Sequence, residues 1–281
     1  MSDRPVVVGT DGTPAGNAAV DWAVDEAARR RVPLRIVHAA VWAHYAGGRG
    51  SLADAVTRDA GARARTRRPS VAVAAEVVLR DPVPALLTEG DAAVLLVLGS
   101  RALGRFAGAL LGSVSLPVVV ALPCPVVVVR DLPAPPEPHD PVVLGVGEHG
   151  SAAAVTVFAL EAARGQGCPL RAVHAWRVPR VEGATAHTGQ YDDARNSCRS
   201  AAQHRLDDAL STVRGPILTG GVRRVLGEGP PSEVLLGACE EASLLVVGAR
   251  RRDTRVGHRI GSVNRAVLRH APCPVAVVPH L

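Results

Sequence analysis

A chain of 281 residues has room for two domains of common size, each able to bury its own core. Hydrophobic residues make up 47% and aromatic residues 2%, which fits a packed α/β protein and leaves almost no stacking platforms for single-stranded nucleic acid. The net charge is +6, yet all 32 cationic side chains are Arg, so a Walker-type phosphate lysine, a Schiff-base lysine and a lysine general base are all excluded.

From the amino terminus, apolar runs predict strands near 5–10, 34–39, 71–79, 93–99 and 125–130. Between them, amphipathic stretches predict helices near 14–31, 52–66, 82–90 and 113–122, with Pro117 sitting awkwardly one turn into the last. Strand then helix then strand, without hairpin signals, implies parallel pairing and a doubly wound sheet. The arginine clusters RARTRR at 63–68 and RRRDTR at 250–255 are short and lie in different segments, so solvated faces are expected rather than a nucleic-acid footprint. Residues 106–129 are uncharged and long enough for a membrane span, but Pro117, Pro123 and Pro125 interrupt them.

Past residue 131 the chain repeats itself. An offset of 136 places Trp22 on Phe158 and VPLRIVHA at 32–39 on CPLRAVHA at 168–175. An offset of 149 places LLVLGS at 95–100 on LLVVGA at 244–249, Gly112 on Gly261, and PCPVVVV at 123–129 on PCPVAVV at 272–278. The fold class that follows is α/β, with two tandem doubly wound five-stranded parallel-sheet domains. The first domain spans 1–131, a proline-rich linker 132–140, and the second domain 141–281. The second copy of the uncharged stretch carries Arg265, Arg269 and His270, which a spanning helix would tolerate poorly. In the second domain a helix near 192–213 would place Ala194, Cys198, Ala202, Leu206, Ala209, Leu210 and Val213 on one face.

The segment GVGEHG at 145–150 has the spacing of a dinucleotide loop, but it aligns with GTDGTP at 9–14, and its following strand ends in Trp176 and Arg177 where a ribose-binding acid belongs. Neither NAD nor FAD is expected. A longer glycine signal occurs twice: GSRALGRFAGALLGSV at 99–114 and its counterpart from Gly248 to Val263. Glycines let backbone approach a phosphate, and Ser113 as N-cap would open a helix whose free N–H groups face an anion.

On these residues the sequence resembles the universal stress protein family in its tandem two-domain form, with an adenine nucleotide alpha-hydrolase-like, Rossmann-like fold. The family pattern is Gly, two residues, Gly, nine residues, Gly, then Ser or Thr. Gly99, Gly112 and Ser113 match it, with Ala102 at the middle glycine; Gly248, Gly261 and Ser262 match it again, with Arg251 there. For ATP-binding members the resemblance implies that Thr10 and Asp11 approach the nucleoside and that Ala39, after His38, lies beside adenine. It implies that Gly99, Ala102, Gly112, Ser113 and Val114 cradle phosphates, with Arg101 adding a charged contact. The second-domain counterparts are Val146, Gly248, Arg250, Gly261 and Ser262, and there Gly147 replaces the aspartate.

His38 and His174 match across the repeats, and hydrogen bonding within the fold is expected, since no Cys, Asp or Glu recurs beside them. Cys124 and Cys273 match as small buried residues; five cysteines without a CxxC point to a reducing, cytoplasmic setting. Ser100, His38 and Asp11 can be written as a triad, but no such trio recurs, so no enzyme is expected, while slow hydrolysis of bound ATP stays open. The bare apolar strands 126–129 and 275–278 are expected to pair the two halves as a pseudo-dimer, with homodimers building on it. Two functions stand: a stress-response module holding ATP in the first domain, or a nucleotide-free interaction scaffold with an unnamed protein partner.

Overall fold

The computed structural model describes residues 4–41, 52–100, 113–130, 137, 139–148, 153–179, 188–211, 221–250 and 260–280. The first repeat begins with β1 (Val6–Gly9), whose three valines are wholly buried, as expected of a parallel strand covered on both faces. It continues through α1 (Pro14–Arg30), β2 (Leu34–Ala39), α2 (Leu52–Arg67), β3 (Val73–Val78), α3 (Pro82–Asp91), β4 (Leu95–Ser100), α4 (Ser115–Ala121) and β5 (Val126–Arg130). The second runs β6 (Val142–Val146), α5 (Ala153–Gln166), β7 (Leu170–Trp176), α6 (Thr188–Ser211), β8 (Val222–Glu228), α7 (Pro231–Ala238), β9 (Leu244–Arg250), α8 (Ser262–His270) and β10 (Val275–His280).

The chain divides into two compact units. In the first, strands lie in the order β3-β2-β1-β4-β5, all parallel, and Pro274–Pro279 joins this unit. There β10 runs antiparallel to β5, with Val275 opposite Val128 and Val277 opposite Val126, so the two valine-rich last strands are neighbours. In the second unit the parallel order is β8-β7-β6-β9. In each unit the first strand has its successor on one side and the fourth strand of its repeat on the other. The order therefore reverses beside β1 and beside β6, which opens a crevice at their carboxyl ends.

Local chemistry sets the elements. Thr13 caps α1 by accepting the Gly16 N–H at 3.2 Å, Pro14 supplies a preset φ in its first turn, and Arg31 closes it in the left-handed region at φ 57°. Ala15, Ala19, Val20, Ala23, Val24 and Ala27 form the buried face, small enough for the helix to sit close on the sheet. The first arginine cluster is tied down rather than open: Arg63 Nε donates to Asp21 at 2.6 Å, and Arg67 and Arg68 clamp Asp25 at 2.7 and 2.6 Å, fastening α2 to α1. No described helix is long and apolar enough to cross a membrane.

Two expectations are corrected. Ser113 does not cap a helix: α4 starts at Ser115 with Val114 as its N-cap and no side-chain cap bond. Starting there puts Pro117 in the first turn, where its missing N–H would have had no helical partner anyway. In the second repeat Ala266 takes the place of that proline, and α8 does begin at Ser262. The apolar stripe on α6 is also only partly used. Ala202, Leu206 and Ala209 are buried and Cys198 half-buried, but Ala194 is exposed, and Val213 lies outside the described residues. At 24 residues the helix is about 36 Å long. That outruns a seven-residue strand of about 23 Å, so the early turns have no sheet beneath them. At the boundary Arg195 stacks over the ring of Trp176, the last residue of β7, at 5.8 Å and bonds Glu228, the last of β8, at 2.6 Å.

Candidate functional site

At the carboxyl ends of β1, β2 and β4 lies an open cleft of about 540 Å³. Its floor begins at the loop after β1. Gly12 turns the chain at φ +78°, a conformation glycine adopts without strain, and its N–H donates to Thr10 Oγ1 at 3.3 Å. Thr13 donates twice to Asp11 Oδ1, from its N–H at 3.1 Å and its hydroxyl at 2.6 Å, which pins the carboxylate at the positive end of α1. Gly16 makes room for this: a Cβ there would stand 2.8 Å from both Asp11 Oδ1 and Thr10 Oγ1.

One wall is apolar. Val37, Ala39 and Val41 at the end of β2 face the cleft with Leu52 and Val56 of α2 and Pro82 and Leu86 of α3. Leu52 is 71% exposed and Val41 43%, so both add uncovered apolar surface to the rim of this wall. The opposite side holds Gly99, Ser113, Val114 and Ser115. Ser115 is buried and its hydroxyl donates to the Gly99 carbonyl at 3.4 Å, joining the start of α4 to the end of β4.

Of the residues singled out from the sequence, Thr10, Asp11, Ala39, Gly99, Ser113 and Val114 meet in this one cleft. Arg101, Ala102 and Gly112 lie outside the described residues, as does Arg251. Gly99 has a packing reason beyond any ligand, since a Cβ on it would come within 2.6 Å of the Ala15 carbonyl oxygen. Thr13, Gly16, Leu52, Val56 and Ser115 were missed. The glycine two residues after Pro14, in TPAG, was the available signal for Gly16.

His38 is buried, and its Nδ1 lies 2.8 Å from the Thr10 carbonyl oxygen. A carbonyl only accepts, so Nδ1 carries the proton and spends it on backbone. A hydrolytic triad would spend that proton on a carboxylate, so His38 is not oriented as one. His174 repeats the arrangement with the Val146 carbonyl at 2.9 Å. Both histidines tie neighbouring strand ends together.

The second unit carries a smaller cleft of about 280 Å³ in the equivalent place. Val146 and Gly248 line it, whereas Arg250, Gly261 and Ser262 do not. Asn264, at the position of Ser115, donates its amide to the Gly248 carbonyl at 2.9 Å, so the tie between fourth strand and following helix is kept with a different side chain. Glu148 and His280 also line this cleft. Among the described residues no group of three or more His, Cys, Asp or Glu is placed to hold a metal ion.

The family model described as the universal stress protein family matches residues 4–130 and again 138–279. A universal stress protein of Mycobacterium tuberculosis is 31% identical over 296 residues, covering 98% of this chain and 96% of its own. A second from the same organism is 32% identical over 294 residues, covering 97% and 96%. Among solved structures, a universal stress protein from Archaeoglobus fulgidus superposes with a TM-score of 0.62 at 17% identity over 99% of both chains. A functionally unknown protein from Pseudomonas aeruginosa superposes at 0.71 with 15% identity, over 99% of this chain and 93% of its own. These two likenesses establish the fold.

Proposed function

The chain belongs to the universal stress protein family, and from that premise we propose that its first cleft binds an adenine nucleotide, ATP in the first instance, as the ligand of a non-enzymatic stress-response module. The observation that carries this reading is the convergence of Asp11, Ala39, Gly99, Ser113 and Val114 in one cleft of about 540 Å³. That volume lies within the ~300–1,000 Å³ usual for small-molecule sites.

The two sides of the cleft divide the work. A flat adenine gains from covering Ala39, Val41, Leu52 and Val56, and the pinned Asp11 carboxylate is an acceptor for ribose hydroxyls. The phosphates would run toward Gly99 and the Ser113–Val114 backbone. His38 spends its Nδ1 proton on the Thr10 carbonyl, which supports binding rather than hydrolysis as the role of the site. Occupancy would then bias conformation or partner choice, including association of chains.

Calorimetric titration of the purified chain with ATP, repeated with Asp11→Ala, tests this. Saturable binding that weakens at least ten-fold with Asp11→Ala is the expected result, in line with loss of about 1.4 kcal/mol of charge-assisted bonding. Absence of binding at millimolar ATP would instead favour the nucleotide-free scaffold, for which Ala102 at the middle glycine position speaks.

A further inference from the structure

The second cleft repeats the first at one end only. Val37, Ala39, Pro82 and Leu86 of the first correspond through the internal duplication to Val173, Ala175, Pro231 and Leu235 of the second, so the inner wall of the apolar slot is preserved, whereas the outer wall of Val41, Leu52 and Val56 has no counterpart among the described residues that line the second cleft. The histidine beneath it makes the same backbone bond in both, at 2.8 and 2.9 Å.

The other end has changed chemistry. Thr10, Asp11 and Gly12 become Val146, Gly147 and Glu148, which removes the pinned carboxylate and places an exposed negative side chain on the cleft wall. Among the described residues, the atoms nearest a Cβ on Gly248 are Cδ2 and Nε2 of the His280 ring, both at 3.0 Å, a side chain that has no equivalent over Gly99. The volume falls to about 280 Å³ from about 540 Å³.

We propose that the second cleft is a nucleoside site, taking an uncharged purine nucleoside such as adenosine in the shared apolar slot and rejecting its phosphorylated forms. The assignment of a purine rests on the nucleotide reading of the first cleft, whose inner apolar wall it repeats. Size sets one limit: the second cleft sits at the lower edge of the ~300 Å³ at which small-molecule sites begin, room for a base and sugar without a phosphate chain. Charge sets the other, because a polyphosphate leaving the slot would pass Glu148, and discrimination by an opposing like charge needs no further contact. A neutral nucleoside meets neither obstacle.

Titration of the full chain with ATP and, separately, with adenosine reads both clefts. The expected result is one equivalent of ATP and two of adenosine. Ala175→Trp, which fills the second slot, should remove one adenosine equivalent and leave the ATP equivalent, while Ala39→Trp should remove ATP and leave one adenosine. The milder Ala175→Val should weaken only the second adenosine event, which separates a blocked slot from an unfolded repeat. Two ATP equivalents, one of them lost with Ala175→Trp, would overturn the proposal, as would adenosine binding that Ala175→Trp leaves unchanged. If ATP fails to bind but an adenosine equivalent sensitive to Ala175→Trp remains, the reading of the first cleft falls and the nucleoside site stands.

Discussion

Gly99 lies directly beneath the first turn of α1, so close that a Cβ on it would stand 2.6 Å from the Ala15 carbonyl oxygen. That oxygen belongs to the turn whose cap, Thr13, also holds Asp11, so pressure at Gly99 is transmitted to the cleft. Gly99→Ala should therefore destabilise the protein by about 1–3 kcal/mol, as overpacking does, and weaken nucleotide binding with it. Among the described residues Gly248→Ala meets the His280 ring and a Val155 methyl, side chains that can give, and should cost about 0.5 kcal/mol. Urea denaturation of the two variants checks the contrast; equal losses would show that backbone proximity is not what selects glycine.

Asp25 makes a pH-dependent contribution with a definite sign. Burial pushes its carboxyl up, but hydrogen bonds from Arg67 and Arg68 outweigh burial and hold it below its ordinary 3.8. A carboxylate depressed on folding stabilises the folded state above that ordinary value, and the gain is lost as pH falls through it toward the lower folded-state value. Asp25→Asn should cost about 0.5–1 kcal/mol at neutral pH, the scale of half-exposed arginine pairs, and should flatten the acid side of the stability curve. Urea midpoints followed from about pH 6 to about pH 3 read this directly: parallel curves for the two proteins would rule it out.

Most of the fold was legible because parallel strands buried on both faces are written as unbroken runs, VVVG, LLVLGS and VVVVR among them, and helices between them carry caps such as the Thr13–Pro14 pair. Much of the cleft was legible for a related reason. Thr10, Asp11, Ala39 and Gly99 all follow or end strands, and a doubly wound topology brings carboxyl ends of strands together. What escaped depends on distance in sequence. Nothing local marks Ser115 as the partner of the Gly99 carbonyl or puts His280 over Gly248, because each contact needs the fold first. The periodicity of α6 could not say where the sheet beneath it stops.

The five cysteines should divide sharply by accessibility. Burial pushes the Cys124 thiol up to about 11, and Cys168, Cys239 and Cys273 are buried as well, while Cys198 on α6 is half-exposed. A thiol reacts as its thiolate, so the buried set should resist alkylation at about pH 8 and one thiol should react rapidly. Maleimide labelling with mass mapping should find Cys198 modified first and Cys124 only after denaturation. Early modification of Cys124 would mean that the entry to β5 opens far more readily than its packing implies.

Pro117 explains why two equivalent helices begin at different places, and the explanation can be reversed. Were α4 to start at Ser113, as α8 starts at the matching Ser262, residue 117 would have to donate its N–H to the Ser113 carbonyl, and proline has none to give and a ring that clashes there. The first helical bond in α4 accordingly runs from Val118 N–H to the Val114 carbonyl at 3.3 Å, whereas in α8 Arg265 already donates to Gly261 at 3.0 Å. Pro117→Ala should lengthen α4 toward Ser113, giving helical chemical shifts at Ser113 and Val114 and a protected amide at position 117. Stability should change by no more than about 1 kcal/mol, since the helical hydrogen bonds gained are offset by a more flexible unfolded chain. Because Ser113 and Val114 line the cleft, ATP affinity should move with the helix start. Shifts at these two residues that stay where they are would mean that contacts around Ser115, and not the proline ring, decide where this helix begins.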